Sequence, residues 1–189
     1  AEELLLLSRY IDSHALNKAV TLLTDCDGRI VTAGVGTSGA AAKKIAHSLC
    51  CVEKAAFFLD PGDAVHGGLG AVQEKDVVIL ISKGGSTREI TALLPDLEKK
   101  KAVIIGVTEN PDSELGKASR VILNVKIEKE ADSFNMLATT STMAVTAVFD
   151  AICIILMEET GFTKEQFGVI HPGGAVGDRL LGKNNEEKK

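Results

Sequence analysis

Two short runs rich in glycine and hydroxyl groups have the residue types and spacing to hold an anion. The first is Gly34-Val35-Gly36-Thr37-Ser38-Gly39, and the second is Ser82-Lys83-Gly84-Gly85-Ser86-Thr87. Each follows a short apolar run and stands where a helix is expected to open. A helix N-terminus offers unpaired N–H groups and a partial positive charge, and glycine lets an anion come close to them. Two such loops at one edge of a sheet imply a phosphorylated small molecule bound across both. Gly36, Thr37 and Ser38 are the candidate ligands of the first loop. Ser82, Lys83, Gly84, Ser86 and Thr87 are those of the second, with Lys83 as a point charge.

Both loops have rival readings. Gly34-x-Gly36-x-x-Gly39 satisfies the dinucleotide fingerprint, and Asp60 falls roughly 20 residues on, where that pattern wants an acid for the ribose. A tight strand-to-helix turn is the plainest alternative. Thr37 and Ser38 at the crest suit sugar or phosphate oxygens better than a dinucleotide, and the chain has no room for a dehydrogenase's catalytic domain beside the sheet. In the second loop, Ser86-Thr87-Arg88-Glu89 is also a capping box, with Ser86 as N-cap and Glu89 reaching back. Capping accounts for Ser86 and Glu89 but leaves Ser82, the paired glycines and Thr87 unexplained.

The elements that must position these loops follow from apolar periodicity. Leu4, Leu7, Ile11, Leu16, Val20 and Leu23 predict one amphipathic helix over Leu4–Leu23, lying on the sheet or on a partner subunit. Five β-rich runs follow: Arg29–Ala33, Ala56–Leu59, Val77–Ile81, Val103–Thr108 and Val121–Val125. Helical stretches near Ala40–Cys51, Arg88–Lys101 and Ser113–Ala118 separate most of them. That alternation predicts an α/β fold with a parallel sheet covered on both faces. A long helix is expected over Thr140–Thr160, stopped by Gly161, and Thr163-Lys164-Glu165-Gln166 reads as a capping box for a short last helix. Residues 1–182 are expected to form one domain, and the charged segment 183–189 a frayed polar tail.

Bulk properties narrow the function classes. The 189 residues suit one well-buried α/β domain. A net charge of −5, with no basic stripe interleaved with aromatics, argues against nucleic acid as the main partner. No apolar run reaches the roughly 18 residues of a membrane span, so no membrane partner is expected. Cys26, Cys50, Cys51 and Cys153 match neither zinc nor thioredoxin spacing and read as reduced thiols in a cytoplasmic protein.

Taken together, the segments resemble the sugar isomerase (SIS) domain family, and within it the arabinose-5-phosphate isomerase branch. The resemblance rests on Gly34–Gly39, on Ala64-Val65-His66-Gly67-Gly68-Leu69-Gly70 and on Asp76–Ser82. It continues through Glu128-Lys129-Glu130-Ala131, Ala138-Thr139-Thr140-Ser141-Thr142, Gly161-Phe162-Thr163 and His171-Pro172-Gly173-Gly174-Ala175-Val176-Gly177. It implies a three-layer αβα sandwich with a five-stranded parallel sheet (Rossmann-like), a phosphorylated sugar as ligand, and a homodimer or homotetramer with sites near subunit boundaries. It implies neither a cofactor nor a metal. Many relatives carry a paired CBS module after the His-Pro-Gly-Gly segment, and this chain stops soon after it. The chain also departs from the branch, which usually has lysine where Thr37 stands and glutamate where Ser86 stands.

The resemblance singles out Glu130, His171 and His66 as catalytic candidates. Aldose–ketose isomerisation moves a proton between C1 and C2 through an enediol. It needs a base of intermediate pKa, a group shuttling protons between the oxygens, and donors for developing negative charge. Glu130 and His171 are the expected base and oxygen-side acid. His66 is expected to reach a neighbouring subunit's site or to assist ring opening. Thr140 and Ser141, at the start of the long helix, either face the site or cap that helix. Each candidate also has a plain structural reading: an exposed charge for Glu130, a turn histidine tying backbone carbonyls for His171, a satisfied histidine in an apolar setting for His66. A sugar-phosphate isomerase and a non-catalytic sugar-phosphate sensor are both compatible with these residues.

Overall fold

β-branched and leucine residues dominate four of the five short strands because helices cover the sheet on both sides. The structure, a computed structural model, describes residues 1–174 and 177–178. The elements run α1 (Glu2–Tyr10), α2 (Ser13–Thr24), β1 (Ile30–Gly34), α3 (Thr37–Cys50), β2 (Ala56–Phe58) and α4 (Pro61–Ala64). After a 3₁₀ turn at Gly68–Ala71 come β3 (Val77–Ile81), α5 (Arg88–Thr91), α6 (Leu94–Lys99), β4 (Val103–Val107), α7 (Glu114–Ala118), β5 (Val121–Leu123), α8 (Thr140–Thr160) and α9 (Lys164–Ile170). The five strands are parallel in the order β2-β1-β3-β4-β5.

Alternate strand residues feed two cores. Ile30, Ile79, Ile105 and Leu123 face α2, α3 and α8 through Leu23, Ile45, Phe149 and Ile152. Val31, Val78, Leu80 and Ile104 face the other layer through Ile90, Leu93, Leu97 and Leu115. The expected three-layer αβα sandwich is what forms. α8 is long and apolar enough to cross a bilayer by length and composition, which the run-length reading overlooked. Its Ala144, Val148, Phe149, Ile152 and Leu156 are instead buried in the core.

Three expectations need correction. The single N-terminal helix is two, because Ile11 turns extended and the Asp12 carboxylate accepts from His14 N at 2.8 Å and Ala15 N at 3.3 Å, capping α2. The helix over Arg88–Lys101 is also two, interrupted at Ala92–Leu93. Pro95 lacks the N–H that would continue the ladder and sits in the first turn of α6 instead. α3 opens three residues earlier than expected, at Thr37. A Cβ on Gly39 would stand 2.7 Å from Gly34 O, so this strand-to-helix turn closes only with glycine there. The Gly161 C-cap (φ 64°) and the Thr163–Gln166 capping box form as read. Segment 183–189 and Ala175-Val176 lie outside the described residues.

Register then aligns the ends of the strands. Gly34 pairs with Ile81, Ile81 with Val107, and Val107 with Leu123. The loops after β1, β3, β4 and β5 therefore leave one edge of the sheet side by side. Strand order reverses between β1 and β3, the switch point where open α/β sheets leave a crevice for ligands.

Candidate functional site

At the first loop, the N-cap of α3 is Gly36 (φ 59°, ψ −127°), which has no side chain to cap with. The first-turn amides of this 14-residue helix accordingly face outward beside an exposed Thr37 and a half-buried Ser38. Thr37 and Ser38 thus belong to the first helical turn, not to a loop crest. Such a terminus attracts an anion through both its amides and its dipole.

The second loop is braced from within. Ser82 is buried, and its hydroxyl accepts from Gly85 N at 3.1 Å and pairs with Thr87 Oγ1 at 2.8 Å. Gly85 has φ 71°, and a Cβ there would meet Ser113 Oγ at 1.9 Å, so glycine is required. Ser82 and Thr87 hold the loop's shape, leaving Lys83, Gly84 and Ser86 exposed. The capping box read at Ser86–Glu89 does not form. The N-cap of α5 is Thr87, without a side-chain cap, and the Glu89 carboxylate is left with no protein hydrogen bond among the described residues.

Lys83 instead turns toward β4 and α8. Its Nζ donates to Glu130 Oε1 at 2.9 Å and lies 3.9 Å from Glu109 Oε1. Glu130 is 4% exposed; its Oε2 accepts from Thr139 N at 3.0 Å and Ser141 N at 3.1 Å. Burial alone would push this carboxyl up, but hydrogen bonds from Ser141, Lys83 and Thr139 outweigh it and hold the pKa down to about 2. Glu109, a neighbour the sequence reading did not single out, is pushed up by burial, against the pull of Lys83. The geometry makes Glu130 a clamp that ties the second loop to the start of α8. Ser141 is buried within that clamp, while Thr140 beside it is half-buried.

The histidines stand apart from it. His66 is exposed in the turn after α4, its backbone N bonded to Asp63 O at 3.0 Å. The His171 ring stacks on Phe167 at 4.0 Å, with Nδ1 3.1 Å from Phe167 O. One turn earlier, Gln166 Nε2 donates to Glu53 Oε2 at 3.0 Å, in the connection that enters β2 from the opposite sheet edge. No hydrogen bond or ion pair among the described residues joins His171 to Glu130.

A cleft of about 330 Å³ opens between the first loop with α3, the β2–α4 connection and the start of α5, within the roughly 300–1,000 Å³ typical of small-molecule sites. Gly36, Lys43, Phe58, Asp60 and Glu89 line it. Asp60 is already engaged, its Oδ1 accepting from Gly62 N at 2.8 Å to cap α4, so the acid wanted by the dinucleotide reading is occupied.

The SIS domain family profile matches residues 22–155. The chain belongs to the SIS domain family. A solved SIS relative from Listeria monocytogenes 4b F2365, described as a candidate sugar-phosphate isomerase, is 52% identical with a TM-score of 0.89, covering 91% of this chain and 90% of that one. An Escherichia coli CFT073 protein solved in complex with arabinose 5-phosphate is 36% identical with a TM-score of 0.85, covering 90% and 92%. The arabinose 5-phosphate isomerase KdsD of Pseudomonas aeruginosa is 43% identical over 164 residues, 87% of this chain and 50% of that protein. The chain thus spans about half the length of the curated relatives it matches.

Within this SIS domain, sequence reasoning found the two loops but missed how Lys83 is used. No local signal marks a lysine whose carboxylate partner lies 47 residues away.

Proposed function

We propose that this SIS domain binds an open-chain sugar phosphate across the ends of β1 and β3 and interconverts its aldose and ketose forms through an enediol. The observation that carries the reading is the uncapped α3 N-terminus beside a charged cleft bounded by α3, the β2–α4 connection and the start of α5. The phosphate dianion sits on the first-turn amides with the Thr37, Ser38 and Ser86 hydroxyls, and the sugar carbons extend into the cleft. Similarity to a protein solved with arabinose 5-phosphate, and to isomerases of that sugar phosphate, supports it as the first substrate to test.

The same reading makes the active form a homodimer or homotetramer. Phe134, Met136, Leu137, Met143 and Ile154 expose large apolar surfaces that a second copy would cover. In such an assembly, the exposed His66 and the His171 segment serve the site of a neighbouring subunit. A cytoplasmic setting accords with the unpaired state of Cys26, Cys50, Cys51 and Cys153.

Purified protein given arabinose 5-phosphate is expected to produce ribulose 5-phosphate, measured by a ketose-specific assay. Saturable binding with no turnover of pentose or hexose phosphates would leave a sugar-phosphate sensor in its place.

A further inference from the structure

A second cleft, of about 430 Å³, opens between α2 and the start of β5 and shares no lining residue with the cleft beside α3. Positions 14, 17, 18 and 21 of α2 recur at helical spacing, so one face presents the His14 imidazole, the Asn17 amide, the Lys18 ammonium and the Thr21 hydroxyl. The opposite face of α2 is committed to the core through Ala19, Val20 and Leu23. Arg120 closes the cleft from the far wall. It stands one residue before β5, its backbone N donating to Ile104 O at 2.8 Å.

Charge sets this cleft apart. Lys18 and Arg120 are full cations on its walls, and no carboxylate lines it, in a chain whose net charge is −5. Lys44, Lys75, Lys83 and Lys99 each meet an acid, whereas Lys18 and Arg120 have no ion pair among the described residues. Asp12, the acid nearest in sequence on α2, directs its carboxylate to the His14 and Ala15 amides. Asp25 and Glu159 line a neighbouring cleft, which shares only Asn17 and Thr21 with this one.

From this arrangement we infer that the α2–β5 cleft is a second binding site, for a small organic phosphate held apart from the loops after β1 and β3. The Arg120 guanidinium takes two phosphate oxygens as a planar fork, and Lys18 adds a point charge beside them. The Thr21 hydroxyl donates to Asn17 O at 3.0 Å, which leaves its lone pairs and the Asn17 amide for hydroxyls of the ester. Leu22 and Val121 supply an apolar surface against which a ring packs. The volume suits a nucleotide or a sugar phosphate, and the negative net charge disfavours a polymeric anion.

Amide NMR of the wild-type protein and of a Lys18→Gln/Arg120→Gln double variant, each titrated with adenosine 5′-monophosphate, tests this. Saturable shifts are expected in the wild type at the amides of residues 17–22 and 120–121. The double variant should lose them, with Kd raised by about tenfold or more. It should melt with the wild type, since both side chains are exposed and unpaired. A parallel titration with ribose 5-phosphate, which lacks the base, separates the two sources of the phosphate: weaker binding marks a nucleotide site, equal binding a sugar-phosphate site. Shifts that stay linear with concentration, or that persist unchanged in the double variant, overturn the proposal while leaving the isomerase reading intact.

Discussion

Lys83 Nζ and Glu130 Oε1 meet at 2.9 Å across 47 residues of sequence, joining the loop after β3 to the start of α8. Because Glu130 also accepts from Thr139 N and Ser141 N, one buried carboxylate fixes the positions of a loop and a 21-residue helix. Glu130→Ala leaves two helix-terminal amides and Lys83 without their acceptor. The expected loss is about 3 kcal/mol, measured as a shift in urea midpoint at unchanged slope. Loss of turnover by Glu130→Gln at full folding would mark Glu130 as the base.

Acid should unfold the protein partly through the same group. Glu130 is held at about 2 in the fold against an ordinary value of 4.5, so its contribution is complete above about pH 4.5. That contribution fades as pH falls through the folded value, removing about 3 kcal/mol in all. Glu109 acts in the opposite sense, since its raised pKa makes the ionised form unfavourable in the fold. Chemical denaturation at stepped pH between about 5 and 2 should show a falling stability that Glu130→Gln flattens.

Gly85→Ala should damage the second loop without touching its ligands. The new methyl would require φ 71° and a position 1.9 Å from Ser113 Oγ. A cost of about 2–3 kcal/mol is expected, with a raised KM for the sugar phosphate as the loop shifts. Thermal melting and initial rates check both halves.

Charge placed on the exposed apolar segment should reveal the assembly. Phe134→Glu together with Met136→Glu alters two side chains that are 78% and 82% exposed in one chain, so monomer stability should hold. Sedimentation is expected to show smaller species, with turnover reduced because His66 and His171 no longer reach a neighbouring site. An unchanged sedimentation profile would place the subunit contact elsewhere.

Strand positions were legible because alternate burial on two helical layers writes itself as continuous runs such as Val77–Ile81. The long helix was legible to the residue, since Gly161 alone at that point adopts the left-handed cap. Helix breaks at Asp12 and Pro95 were hidden inside apolar periodicity that persists across both. At the site, the glycine loops announced themselves, but the roles within them did not. Ser82 turned inward to brace Gly85, and Lys83 turned sideways to Glu130, choices made by partners distant in sequence. Glu89 looked like a capping residue because its local motif is complete; the backbone turns one residue later than that motif requires.

The most direct test of the isomerase reading is proton NMR of arabinose 5-phosphate incubated with the wild-type protein in heavy water. Decay of the C2 proton signal alongside growth of ribulose 5-phosphate is expected, at rates that saturate with substrate. A C2 signal that persists while the sugar phosphate demonstrably binds would contradict it.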